Sequence, residues 1–130
     1  MTELKAGLLG QAETTVNESN TAAAIGSGAL PVFSTPHMIA IMENASMNAI
    51  APCLEEGQGS VGVRIDVEHL AATPLGMDVR AESCLTKVEG RMLSFEVKAW
   101  AGDELIGRGS HQRCIVLNRR FMEKTQAKLK

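Results

Sequence analysis

Apolar residues recur at helical spacing in one long stretch of this 130-residue chain and at every second position through most of the rest. The helical stretch is "STPHMIAIMENASMNAIAP". Thr35 offers a hydroxyl that can cap, Pro36 suits the first helical position, and Met38, Ile39, Ile41, Met42, Ala45, Ala49 and Ile50 follow before Pro52 stops the helix. Beyond the "EEGQG" turn the period changes. Val61, Val63, Ile65, Val67 and His69 alternate with Gly62, Arg64, Asp66 and Glu68, which predicts a long strand with the first set on its buried face. "MDVRAESCLTKV", "RMLSFEVKAWA" and "LIGRGSHQRCIVL" continue the alternation, separated by the turn signals "EG" and "GDE". A short first strand is expected in "LLGQAETTV", while the segment 17–31 reads equally as strand or loop. The last residues, "NRRFMEKTQAKLK", suit a frayed terminal helix whose basic residues read as a solvated tail. One buried helix followed by three or four hairpin-connected strands must lay its apolar face on a single antiparallel sheet, an α+β arrangement. With so little to cover that helix, a homodimer is expected.

Composition narrows the function more than the fold. Hydrophobic residues make up 45% and charged residues 22%, so the chain should fold as one globular domain over 1–130. A net charge of −2, one Trp, three Phe and no Tyr leave no basic field and few stacking platforms, so nucleic acid is not an expected partner. Cys53, Cys84 and Cys114 lie about thirty residues apart, without CxxC spacing, and read as reduced core residues. There is no signal-peptide pattern and no run of 18 apolar residues, which leads to the expectation of a soluble cytoplasmic protein with no membrane partner. No GxGxxG, GxxxxGK[ST], GxSxG or HExxH occurs, and three scattered histidines lack ligand spacing. Neither a metal nor a cofactor is expected.

Glu43 is the anomaly of the helix. On a helical wheel His37, Asn44 and Asn48 define a polar stripe, and Glu43 points about 120° away from it, among Ile39, Met47, Ile50 and Ser46. A carboxylate there is either a marginal residue reaching for water or a buried acid with a defined partner. His69, the fifth member of an otherwise valine and isoleucine face, raises the same question from the strand. If the two faces meet, an acid and an imidazole share an apolar cleft suited to acid/base or nucleophilic chemistry. Thr35 is explained as the helix cap, although its hydroxyl could also hold an oxyanion or orient a water. His111 and Arg113 share a face with Leu105 and Ile115 and could be edge residues or phosphate ligands. Met42, with Met38 and Met47, suits adaptable core packing or the wall of an acyl pocket.

The stretch "VFSTPHMIAIMENASMNAIAPCLEEGQGSVGVRIDVEHLAATPLGMDV", continued by "VEGRMLSFEVKAW" and "GRGSHQRCIV", resembles the hotdog-fold thioesterases of the fluoroacetyl-CoA thioesterase kind over roughly residues 30 to 120. The resemblance implies an antiparallel sheet wrapped around one central helix, a homodimer that could pair further into a tetramer, and active sites at the subunit interface. It implies hydrolysis of an acyl-CoA to a carboxylic acid and coenzyme A by Thr35, Glu43 and His69, the last within "HLAATP". Glu43 would attack the thioester carbonyl or activate water while bonded to Thr35, and His69 would polarise the carbonyl and assist the thiolate. Gly62, in "GSVG", would admit the carbonyl to the backbone. Apart from the resemblance, Arg113 and the nearby Arg108 are candidates for the coenzyme phosphates. The chain departs from the family in "IGSGALP", where Gly26 and Ala29 stand in place of aromatic lid residues, so a more open acyl pocket is expected. The enoyl-thioester hydratases of this fold use D-x4-H, which is absent. A non-catalytic acyl-CoA-binding protein is the alternative from another class.

Overall fold

The computed structural model describes residues 3–129. Its elements are β1 (Leu9–Thr15), α1 (Ala22–Ile25), α2 (Thr35–Ile50), β2 (Gln58–His69), β3 (Asp78–Glu89), β4 (Met92–Ala101), β5 (Glu104–Leu117) and α3 (Asn118–Gln126). All five strands form one antiparallel sheet in the order β1-β3-β4-β5-β2.

This order corrects the expectation of a plain meander, because β2 pairs with β5 and not with β3. Two-residue turns at Gly90 and Gly102 (φ +61° and +59°) tie β3, β4 and β5 into neighbours, since glycine takes left-handed backbone without a Cβ clash. Only the outer edges of that unit remain. β1 takes the β3 edge, and β2 takes the β5 edge. The link 70–77 then carries the chain across the sheet end, held by bonds from the Leu70 amide to Ile106 and from the Phe33 amide to Thr73.

Helix α2 packs its Met38, Met42, Ala45, Ala49 and Ile50 against Val79, Ala81, Leu85, Leu93, Phe95, Val97, Ala99 and Ile106 of the sheet. It lies so close to β1 that a Cβ on Gly10 would strike the backbone of Ala45 and Ala49. Ser46, within this core, spends its hydroxyl on Ser83 (2.8 Å) and the Met42 carbonyl, which is how two buried hydroxyls avoid an unpaired cost. Asn44 and Asn48 are exposed as expected, but His37 is half-buried and bonded to Ser34. The sheet does not close around the helix. Ile39 and Glu43 are half-buried and Met47 is 46% exposed, so one side of α2 lies open beside the free edge of β2. The unassigned segment holds α1, a single turn capped by the Thr21 hydroxyl and ended by Gly26.

Candidate active site

Two polar constellations flank that open side, and a one-residue difference in the capping assignment produces the first. The cap of α2 is Ser34, not Thr35: its hydroxyl accepts from the His37 amide. Thr35 is therefore the first helical residue, with its hydroxyl free to turn outward, and it meets His69 Nδ1 at 2.7 Å. His69 ends β2, so one strand terminus and one helix terminus fix the pair. Its Nε2 is buried and has no hydrogen-bond partner among the described residues, a state that costs free energy unless something else fills the space. Burial is the main influence on the ring and lowers its pKa below the ordinary 6.5, with partial opposition from the Ala71 carbonyl. His69 is thus kept neutral, with one donor and one acceptor nitrogen. A cavity of about 330 Å³ opens in front of it, lined by Val32, Phe33, Thr35, Leu70, Ala71 and Ala72, with Ala22 and Ser27 from the flank of α1.

The second constellation surrounds Glu43. Arg113 and His111 come from the centre of the sheet, since β5 is an interior strand, and their side chains are only 5% and 1% exposed. Arg113 donates from Nε to the Ser60 hydroxyl (2.8 Å) and from Nη2 to the Ser60 carbonyl (3.0 Å). Its Nη1 lies 3.5 Å from Glu43 Oε2 and 3.1 Å from His111 Nε2. On the other side of the ring, His111 Nδ1 sits 2.7 Å from the Arg64 carbonyl, which can only accept, so Nδ1 carries the proton. Nε2 then accepts from Arg113. Burial lowers the His111 pKa, and the Arg113 charge lowers it further against the opposing pull of the Arg64 carbonyl and Glu43. The ring also stacks on Phe95 at a centroid distance of 6.0 Å. Glu43 keeps 39% of its side chain exposed. It is a carboxylate anchored from behind by a buried cation and open in front.

Gly62 belongs to this cluster because β2 is bulged. Pairing with β5 runs Gly62 to Arg113 and then Arg64 to Gln112, leaving Val63 as the extra residue. The bulge reverses the expected alternation upstream of Val63. Ser60 and Gly62 share the helix-side face with Ile65, Val67 and His69, while Val61 and Val63 turn away, and Val63 is 52% exposed. A Cβ on Gly62 would sit 2.6 Å from Glu43 Oε2 and 3.3 Å from the His111 ring. A second bulge, at Ile106, removes Leu105 from the face of His111 and Arg113 and drives Ile106 into the core.

Within one protomer the expected catalytic set is divided. Thr35 is bonded to His69 and not to Glu43, which lies eight residues along α2, about 12 Å down the axis at ~1.5 Å per residue. The imidazole beside Glu43 is His111. Met42 has no exposed surface and packs in the core. Arg113 faces Glu43 and Ser60, and Arg108 pairs with Glu68 on the outer surface. Sequence reading gave Ser60 no role and left His111 between an edge residue and a phosphate ligand, not a partner of Glu43. The available signal was a histidine and an arginine two positions apart on a strand face continued by Ile115.

Among the described residues, no helix is long and apolar enough to cross a membrane. Residues 16–119 match the family model described as fluoroacetyl-CoA-specific thioesterase. The chain is 44% identical over 97 residues, 75% of its length and 70% of the relative's, to the fluoroacetyl-CoA thioesterase of Streptantibioticus cattleyicolor. A variant of the fluoroacetyl-CoA-specific thioesterase FlK, in complex with fluoroacetate and CoA, superimposes with a TM-score of 0.85 at 36% identity, covering 91% of this chain and 99% of that one. A hot-dog-like protein from Thermanaerovibrio acidaminovorans matches with a TM-score of 0.87 at 26% identity, over 98% of this chain and 94% of the other. The fold is the hotdog, with α2 as its central helix, and the chain belongs to the fluoroacetyl-CoA-specific thioesterase family and is a thioester hydrolase.

Proposed function

We propose that this protein hydrolyses short acyl-CoA thioesters at a site shared by two copies of the chain, Glu43 from one and Thr35 with His69 from the other. The observation that carries this reading is the buried, unpartnered Nε2 of His69, which lies beside the same open helix face and free strand edge as the exposed half of Glu43. A free 12-residue edge strand is a template for pairing with its own copy. A pairing of β2 with β2 centred on Asp66 sets Ile65 opposite the partner's Val67. Past the Val63 bulge it sets Gly62 opposite the partner's His69, both on the helix side. On the outer face it also opposes Arg64 to the partner's Glu68, twice by symmetry, against one Asp66 contact of like charge. Glu43, which touches Gly62, would then face the partner's His69 and Thr35.

The chemistry follows from the donors. In the tautomer that suits this chemistry the Thr35 hydroxyl donates to His69 Nδ1, which leaves Nε2–H as the donor to the thioester oxygen as it gains charge. The Glu43 carboxylate, positioned by Arg113, either takes the proton of the water that adds to the carbonyl carbon or adds to it directly, in which case a water later cleaves the acyl–Glu43 anhydride; in both routes the C–S bond breaks and coenzyme A leaves as its thiolate. Gly62 leaves room for the carbonyl beside Glu43. The acyl group occupies the His69 cavity of about 330 Å³, whose lining from the α1 side is only Ala22 and Ser27, so groups larger than fluoroacetyl would fit. Mixing tests the shared site. Glu43→Ala and His69→Ala proteins, each inactive alone, should recover about a quarter of wild-type thiol release once subunits exchange, because half the dimers then hold one intact site of two. No recovery after verified exchange would sink the shared site.

A further inference from the structure

Far from α2, the β3–β4 turn and α3 build a second cavity of about 350 Å³, lined by Arg91, Arg120 and Lys124 with Val116, Leu117 and Phe121. The three cations come from two elements distant in sequence, and none belongs to an ion pair among the described residues. Arg119, their neighbour, is instead paired with Glu123 at 3.3 Å. Arg120 and Lys124 stand four apart on α3, a like-charge spacing that costs a short helix stability unless an anion compensates. The remaining lining is apolar and open, with Phe121 38% and Leu117 54% exposed. The helix is exposed along its length, as the sequence suggested, but its cations are gathered at one cavity. Guanidinium groups that fork onto phosphate oxygens, beside an aromatic face on which a base can stack, match a phosphorylated nucleoside better than a bare anion, which would leave the apolar lining unused.

We propose that this cavity receives the 3′-phosphoadenosine end of coenzyme A, an inference that rests on the thioesterase reading given above. That end carries the ribose phosphate and the diphosphate and is separated from the thioester by the pantetheine arm. Arg113 and Arg108, the phosphate candidates of the sequence, are engaged with Glu43 and Glu68. Val116 lies three residues beyond Arg113 on β5, about 10 Å along the strand at ~3.3 Å per residue but on the other face of the sheet, so the arm would pass round the nearby end of β5 at Leu117.

The test compares an acyl-CoA with the matching acyl-pantetheine, hydrolysed by wild type and by Arg120→Glu/Lys124→Glu. Loss of kcat/KM for the acyl-CoA by about tenfold or more, through KM, with the acyl-pantetheine changed less than about twofold, is expected for a lost pair of phosphate contacts. Equal losses on both substrates, or none on either, would overturn the assignment. Should wild type cleave neither thioester, the catalytic reading fails on its own. The cavity is then judged by titration with adenosine 3′,5′-bisphosphate: binding that the double variant and added salt both weaken supports it, and no binding overturns it. Arg91→Ala provides a second variant on a different element, with the same expectation.

Discussion

The two polar groups along α2 solve opposite electrostatic problems. At the helix start, Thr35 and His69 form a neutral pair in an apolar pocket, and the ring is kept uncharged by burial. Two turns later Glu43 forms an ion pair with Arg113, itself buried, which stands 3.5 Å behind it. The first arrangement is sensitive to shape and dryness, and the second to the survival of one ion pair. Hydrolysis of a thioester needs both kinds of group on one carbonyl, and no single protomer brings them together. Dimer geometry is therefore as much a part of the proposed chemistry as either side chain.

The comparison is broken most directly at its charged half. Glu43→Gln should lower thiol release from an acyl-CoA by about 100-fold or more, the scale for losing a catalytic acid or base. A loss under about threefold in that assay would mean that the carboxylate serves only Arg113. At the neutral half, the two members should separate. His69→Asn should cost on the order of 100-fold in kcat, as for removal of an oxyanion donor, whereas Thr35→Val, which acts through the ring, should cost roughly tenfold. Equal losses would show that the hydroxyl touches substrate itself. Gly62→Ala sharpens the geometry, because its Cβ would fall 2.6 Å from Glu43 Oε2. Displacing the carboxylate should lower kcat/KM by about tenfold to 100-fold, the scale of a small misplacement of a catalytic group, with a loss of at most about 1 to 3 kcal/mol in urea unfolding from overpacking. A variant with wild-type kinetics would show that Glu43 can move freely.

The smallest expected effect is on stability against pH. His69 and His111 both have pKa values lowered by burial, so the unfolded chain binds more protons than the native one as pH falls below the unfolded imidazole value of about 6.5. Their contribution is complete above that value and is lost on acidification. Tm should fall between about pH 6.5 and pH 5, and less steeply in His111→Gln. A Tm that rises over this interval would contradict neutral rings in the native state.

Much of the frame was legible in the chain. The helix from Thr35 to Ile50 and the three sheet segments after Gly76 followed from spacing, since burial imposes its period directly on side-chain choice. The resemblance over residues 30 to 120 implied the hotdog fold and thioester hydrolysis in advance, and the family match over residues 16–119 agrees with both. Strand order was not legible. Nothing local in β2 says that it will take the β5 edge after crossing the sheet end. Bulges were also invisible, because Val63 and Ile106 are ordinary strand residues whose unpaired state exists only against a partner. That concealment hid the site's other half. With Gly62 assigned to the outer face, the proximity of Glu43, His111 and Arg113 could not be read. Adjacent hydroxyls at Ser34 and Thr35 posed a related problem, as either can cap a helix and only the turn geometry chooses.

That choice divides the labour between two neighbours. Since Ser34 supplies the side-chain cap of α2, position 35 is not needed for capping, and its side chain is committed instead to His69. A change at position 35 therefore alters the histidine's partner while the capping bond at the start of α2 stays in place.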